Sequence, residues 1–173
     1  MPFTPYHFGP AFLMGMLAFP VLDIAALMIS SVLLDLEPLA VLMFGLPGPL
    51  HGNLHTFLGA TIAAVLTVCI IWITRAPLQQ FLSLFALSHD SSFTRVTIAS
   101  LVGTYSHVLL DSFLYAEMNP FFPLLGNPFL EIIAPSAVYQ FSVYCMMFGL
   151  VVYAIRLIDR YKPLQKAKED SSA

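Results

Sequence analysis

Long apolar runs separated by short polar stretches make up most of the chain. They cover 8–34, 39–46, 55–74, 94–113 and 137–158. A strand of a membrane β-barrel alternates with a period of two, whereas a helix that crosses the hydrocarbon core needs about 20 largely apolar residues in a row. These runs do not alternate. The pattern therefore predicts an all-α, polytopic membrane protein, a bundle of about four to five hydrophobic helices.

The composition agrees with a membrane protein and excludes an ordinary water-soluble domain. Of 173 residues, 58% are hydrophobic and only 10% are charged, and the mean hydropathy is +0.83. A soluble domain carries roughly 25% charged residues. Lipid also requires every backbone amide to be paired within its own segment, as in a helix. The length predicts one membrane-embedded helical domain over 1–160, followed by a polar tail over 161–173.

The first apolar run, 8–34, allows two interpretations. Pro20 lies near its middle and Asp23 follows closely, so the run is either one kinked span or two short helices that turn at Pro20. Each half of about 12 residues would be roughly 18 Å long, shorter than the ~30 Å hydrocarbon core. Two halves would form a re-entrant hairpin. Only a hairpin brings His7 and Asp35 to the same membrane face.

Basic residues indicate the orientation of the chain. Five of the seven lysines and arginines follow residue 155, and basic residues concentrate on the cytoplasmic side of membrane proteins. The sequence therefore predicts an integral protein of the inner membrane with a cytoplasmic C-terminal tail. Arg75 and Arg95 fit the same orientation. With this orientation, the outer ends of two predicted spans lie near residues 55 and 113.

Two short motifs carry metal-ligand chemistry near these outer ends. His51 and His55 form an HxxxH pair in "HGNLHTF", and His107 and Asp111 form an HxxxD pair in "SHVLLDSF". On a helix, side chains four residues apart lie on one face with Cβ atoms about 6 Å apart, close enough to reach one metal ion. Each pair alone is a weak signal, since histidines and acids also cap helix ends.

Further candidate ligands lie beside the first run, and the clustering strengthens the prediction. Asp35 and Glu37 occur in "LLDLEPL", and His7 precedes the first run. Ionisable groups in a membrane protein cost several kcal/mol each unless paired or used, so a shared metal or catalytic site explains them better than a structural hydrogen-bond network. The predicted metal ligands are His7, Asp35, His51, His55, His107 and Asp111, and the predicted general base is Glu37 or Asp35.

Other ionisable residues receive simpler interpretations. Asp23 is predicted to cap the helix that follows it. Glu117 and Glu131, in the long outer loop, could join the site or gate it, but their simpler interpretation is as solvated loop acids. His89 and Asp90 are predicted to lie on the opposite membrane face from the metal ligands.

Four motifs, in order, resemble a known family. "HFGPA", "SSVLLDLEP", "HGNLHTFLGA" and "SHVLLDSF" are similar to the landmarks of the membrane-bound metal-dependent hydrolases, the YdjM-like inner-membrane proteins. The resemblance covers about residues 4–130. Leu34 stands where the family often has proline, and Glu37 replaces an aspartate. The resemblance implies a metal-dependent hydrolase and no particular substrate.

The predicted function is hydrolysis at a divalent metal held at one membrane face. Imidazole with carboxylate suits zinc, with manganese and iron as alternatives. A position beside an aromatic loop suggests a lipid or lipid-linked ester or phosphoester as substrate. The bilayer is the expected partner, and nucleic acid is not. The alternative is a non-enzymatic transporter or metal-binding scaffold, although transporters usually bind near the midplane on broken helices.

Overall fold

The described chain is helical throughout its regular structure. The computed structural model describes residues 5–172, with side chains for 5–162, and no strand occurs in this part. A short 3-10 helix, Pro5–His7, opens the fold. The α-helices are α1 (Phe8–Leu17), α2 (Ile24–Leu33), α3 (Leu36–Phe44), α4 (Phe57–Ile73), α5 (Arg75–Leu84), α6 (Phe93–Ser112) and α7 (Pro135–Ser172). The all-α prediction is confirmed.

Two helical stretches are long and apolar enough to cross a membrane. They are Ile24–Phe44, which joins α2 and α3, and Pro135–Lys162 of α7. A third is possible if α4 and α5, which meet at an angle of 81°, form one broken span. These stretches support membrane association. The prediction of about four to five spans is finer than these lengths establish.

Helix α6 is not among these stretches, although it has 20 residues. Its buried residues include Ser100, Thr104, His107 and Asp111, which lower its hydropathy. The polar side chains point into the protein, where other helices pack around them. Helix α6 packs against α2 and α4, so its polar face lies at the centre of the bundle.

The first apolar run folds back on itself. Helix α1 ends at Leu17 and α2 begins at Ile24, and the two helices contact each other. Asp23 caps α2, because its carboxylate accepts a hydrogen bond of 2.8 Å from the amide of Ala26. The predicted cap is confirmed. Of the two interpretations of this run, the structure has the pair of short helices.

Helix α1 is held in place by α7. The two helices run in the same direction and approach closely at glycines: Gly9 faces the Ser142 carbonyl, and Gly149 faces Phe12. Beyond α1, the ring of Tyr6 contacts that of Tyr139, with centroids 4.8 Å apart. Helix α7 thereby fixes the N-terminal segment that carries His7.

Arginines and a polar loop gather at the end of the bundle that contains the α1–α2 turn. Arg156 donates a hydrogen bond of 3.2 Å to the Phe19 carbonyl, and Arg75 donates one of 3.1 Å to the Ser91 carbonyl. The ring of His89 packs on Phe19 at 4.8 Å. This end is opposite His7, which lies at the start of α1.

The predicted polar tail begins inside the last helix. Helix α7 continues to Ser172, so the start of the tail at residue 161 is not a boundary of regular structure. The side chains of 163–173 and the backbone of residue 173 lie outside the described part of the chain.

Candidate metal centre

All six predicted metal ligands meet in one buried cluster. His7 ends the 3-10 helix, Asp35 lies between α2 and α3, His51 and His55 precede α4, and the other two lie on α6. None of the six is more than 5% exposed. They form a four-residue group and a three-residue group that share one aspartate, and within each group the ligand atoms lie within 4.8 Å of one another. The four-residue group is His7, Asp35, His107 and Asp111, and the three-residue group is His51, His55 and Asp111.

The reason given for one of the two pairs was wrong. His107 and Asp111 do share a face of α6, and their Nε2 and Oδ2 atoms are 3.1 Å apart. His51 and His55, however, lie in the non-helical segment before α4. Their rings meet edge to face with centroids 4.8 Å apart, so the loop places them together rather than a helix face.

Asp111 is at the centre of the cluster. Its Oδ1 atom is 3.1 Å from His7 Nε2. Its Oδ2 atom is 3.7 Å from His55 Nε2, in addition to its contact with His107. The two oxygens of one carboxylate therefore face three imidazole rings from three different parts of the chain. Asp35 approaches from a fourth, with Oδ1 3.7 Å from His107 Nε2.

Hydrogen bonds at Nδ1 fix the tautomers of two central histidines. His107 Nδ1 lies 2.7 Å from the Ser31 carbonyl oxygen. A carbonyl only accepts, so His107 must carry its proton on Nδ1. His55 Nδ1 lies 2.9 Å from Glu37 Oε2, and this carboxylate also accepts the amides of Gly52 and Leu54. In the neutral rings, both Nε2 atoms then present a lone pair.

These lone pairs face each other. The Nε2 atoms of His55 and His107 are 3.3 Å apart, and Asp111 Oδ2 lies beside both. Three acceptors at such distances repel one another unless a cation or a proton lies among them. The cluster can therefore hold a divalent metal.

Two further atoms of the cluster lack protein partners among the described residues. His7 Nδ1 and Asp35 Oδ2 are both buried and make no hydrogen bond there. A buried polar atom without a partner costs about 1–3 kcal/mol. Such a cost in a cluster of six potential ligands fits a site built to bind a cation rather than a self-contained polar network.

At two histidines of the cluster, burial favours the protonation state that a metal requires. Desolvation lowers the pKa of His7 and that of His55. Imidazole binds metals in its neutral form. Both rings are therefore neutral at pH 7, and protons compete weakly with a metal for their nitrogens.

Glu117 is a residue whose role the sequence left open. A solvated loop position was the simpler of its two interpretations, but its Oε1 atom lies 2.8 Å from His51 Nδ1, so it joins the site. The His51 ring also stacks on Tyr115, with centroids 3.7 Å apart. Partial burial raises the pKa of Glu117, but the hydrogen bond from His51, a backbone hydrogen bond and the charges of His51 and His55 together lower it below its usual value. The only available signal was general: metal-binding histidines usually donate their second N–H to a carboxylate or carbonyl.

The two predicted catalytic carboxylates occupy different positions. Asp35 is one of the four-residue group. Glu37 belongs to neither group and lies behind His55, where two backbone amides and the ring Nδ1 occupy its oxygens. Glu37 and Glu117 thus have equivalent positions, each bound to a histidine of the three-residue group.

We expect Glu37→Gln to weaken metal binding about 10- to 100-fold, the usual cost of losing the carboxylate behind a metal-binding histidine. The amide keeps the shape of the side chain but loses the charge that orients the His55 ring. Competition with a chromophoric chelator would measure the change. Asp90→Asn is the matched control, because Asp90 is fully exposed and pairs with Arg75 at the other end of the bundle. Unchanged affinity in Glu37→Gln would contradict this role.

Comparisons with protein-family models, curated proteins and solved structures found no match. The class of the protein is therefore defined by its own structure. It is an all-helical, membrane-associated chain whose interior carries a His/Asp cluster able to hold a divalent metal.

Proposed function

We propose that the protein is a membrane-bound metal-dependent hydrolase, of the YdjM-like kind that its motifs resemble. The observation that carries the proposal is the 3.3 Å separation of two imidazole Nε2 atoms that both border Asp111 and whose rings are already hydrogen-bonded through Nδ1. A proton could bridge such atoms, but the orphaned Asp35 Oδ2 and the further histidines of the cluster favour a metal. Three-histidine and histidine–carboxylate donor sets favour zinc, with manganese or iron as alternatives.

The roles of the residues follow from their positions. When bound, a divalent metal supplies an activated water and polarises the bond to be cleaved. The six clustered residues would hold it. Asp35 Oδ2, buried and without a described partner, accepts the proton that the attacking water loses. Glu37, whose oxygens are already occupied, acts in this proposal as the residue that orients His55.

The surroundings of the cluster support a substrate with a lipid part. The loop that carries Tyr115 and Glu117 continues through exposed apolar side chains, and Leu124 and Leu125 are 71% and 84% exposed. Such residues fit the interfacial region of a bilayer. We propose a lipid or lipid-linked ester or phosphoester as substrate, with the protein in the inner membrane and its C-terminal end in the cytoplasm.

A metal-binding scaffold without catalysis is the second candidate. The burial of the cluster favours it, because ligands no more than 5% exposed leave little room for a substrate unless the covering loops move. Hydrolysis of a test substrate decides between the two candidates, whereas metal content tests both.

The test compares metal content and activity in three forms of the purified protein in detergent. The wild type should contain one or two zinc, manganese or iron atoms per chain by elemental mass spectrometry. His107→Ala/Asp111→Ala should contain none and should lose activity on ester and phosphoester substrates. His89→Ala/Asp90→Ala is the matched control, since it removes the same two residue types at the opposite end.

Three outcomes are informative. Metal in the wild type and control only, with matching activity, supports the hydrolase. Metal with no activity on any ester supports the scaffold instead. A wild type that binds no metal even after divalent ions are added back would overturn both candidates.

A further inference from the structure

We infer that the cluster binds two metal ions bridged by Asp111, and that the ion in the three-residue group faces the substrate, which is a phosphoester. The inference rests on the proposed function and adds to it the number of ions, the division of roles and the substrate class.

The first step is the number of ligands. A tetrahedral zinc takes four, and the four-residue group supplies four by itself. His51 and His55 are then left over, yet they are as deeply buried as the others, at 3% and 0% exposed. A second ion accounts for both of them, with the shared Asp111 as its third protein ligand.

The second step is the arrangement of supporting hydrogen bonds. Each group contains a histidine whose Nδ1 bonds to an acceptor: His107 to the Ser31 carbonyl, His55 to Glu37, and His51 to Glu117. This pattern leaves Nε2 of the ring for a metal. It occurs at both histidines of the three-residue group, so this group is prepared for an ion as fully as the other.

The third step is the position of Asp111. Its Oδ2 atom lies between His55 of one group and His107 of the other, at 3.7 and 3.1 Å, and its Oδ1 atom faces His7. A carboxylate shared in this way can bridge two cations. It also offsets the repulsion between them, which an interior of low dielectric would make severe.

The fourth step is the difference between the groups. Four protein ligands close a tetrahedral shell, whereas three leave one position for water or substrate, as in catalytic zinc sites. The three-residue group is also the one connected to the surface, because the side chain of its partner Glu117 is 38% exposed. The four-residue group has no such connection through its own ligands, all of which are buried.

The substrate class follows from the pair of cations. Two metal ions about 3.5–4 Å apart can stabilise both the attacking and the leaving oxygen of a phosphoryl centre. A bond forms between the water oxygen and phosphorus, and the bond from phosphorus to the alcohol oxygen breaks. The water gives one proton to Asp35, and Asp35 passes that proton to the departing alkoxide, so the alcohol and the phosphate product leave with atoms and charge balanced. A dianionic or monoanionic phosphate also matches two cations better than a neutral carboxylic ester does.

The experiment uses Mn²⁺, which reports its number and its neighbours by electron paramagnetic resonance. Wild-type protein stripped with a chelator and reloaded should bind two Mn²⁺ per chain and give an exchange-coupled spectrum. His51→Ala should bind one and give the uncoupled six-line signal. Glu117→Gln, a gentler change, should bind the second ion about 10- to 100-fold more weakly. His89→Ala should behave as the wild type does.

Activity distinguishes this inference from the proposed function. With bis(p-nitrophenyl) phosphate as probe, the wild type should turn over and His51→Ala should lose activity by at least about 100-fold, while p-nitrophenyl acetate should be a poor substrate for both. One Mn²⁺ per chain together with ester hydrolysis would overturn the two-metal inference and leave the hydrolase standing. Two coupled Mn²⁺ without hydrolysis of either probe would instead count against the hydrolase and the phosphoester assignment.

Discussion

Chelation of the metal is expected to lower the thermal unfolding midpoint of the protein by about 10 °C. Without a cation, the acceptors of His55, His107 and Asp111 face one another in the interior. A ligand present at about 1,000 times its dissociation constant stabilises the native state by about 4 kcal/mol. In a domain of this size, each kcal/mol moves the midpoint by about 2–4 °C.

The single tryptophan makes this measurement direct. Trp72 lies where α4 meets α5, and the Arg75 guanidinium stands 5.1 Å from its ring centroid, so its fluorescence should follow unfolding far from the cluster. The wild type would be heated with and without a chelator in the same detergent. His107→Ala/Asp111→Ala should unfold early and show no further response to the chelator. An equal response in both proteins would mean that the chelator acts elsewhere.

Gly103→Ala is expected to destabilise the protein by about 1–3 kcal/mol, the usual cost of overpacking a tight interface. An added methyl group would overlap Ser30 Oγ and lie 2.7 Å from the Leu27 carbonyl oxygen. Replacing a helical glycine usually gains about 0.5–1 kcal/mol, which is too little to offset a clash with backbone. Because the interface also holds Ser31 against His107, metal affinity should fall together with stability.

Gly15→Ala is the matched control for this prediction. It is also a helical glycine, but its added methyl group would meet the Ile24 side chain at 3.0 Å rather than a backbone carbonyl. A side chain can shift by a few tenths of an ångström, so we expect a change near zero. Thermal unfolding and Mn²⁺ titration of both variants would check the pair. Equal melting temperatures in the two variants would contradict the tight packing of α2 on α6.

The cluster could be predicted from sequence because its ligands are chemically rare in this chain. Ten acids and five histidines among 173 residues leave few ways to satisfy ionisable groups inside a bundle. The fold-back at Pro20 was predicted as one of two alternatives, because proline breaks a helix but does not determine the angle of the break. Contacts of α1 with α7 determine that the run folds back, and these contacts join parts of the chain more than 120 residues apart.

The remaining features of the site could not be predicted, because they depend on contacts between distant residues that no local sequence pattern encodes. Glu117 reaches His51 across 66 residues, and only the packing of two irregular loops brings them together. The Ser31 carbonyl leaves no trace in the sequence, since every residue has one. The spacing of His51 and His55 correctly predicted that their side chains lie close together, but the predicted cause was wrong. A turn before α4, and not a helix face, brings them together.

The wide spacing of the ligands along the chain has a consequence for biogenesis. The first ligand is residue 7 and the last is residue 111, and His7 is held in place by α1 and by the contact of Tyr6 with Tyr139 on α7. A nascent chain therefore lacks a complete donor set until α6 has left the ribosome, and it lacks a fixed one until α7 has followed. In the metalloprotein proposed above, loading would therefore follow the synthesis of α7, as a late step of maturation.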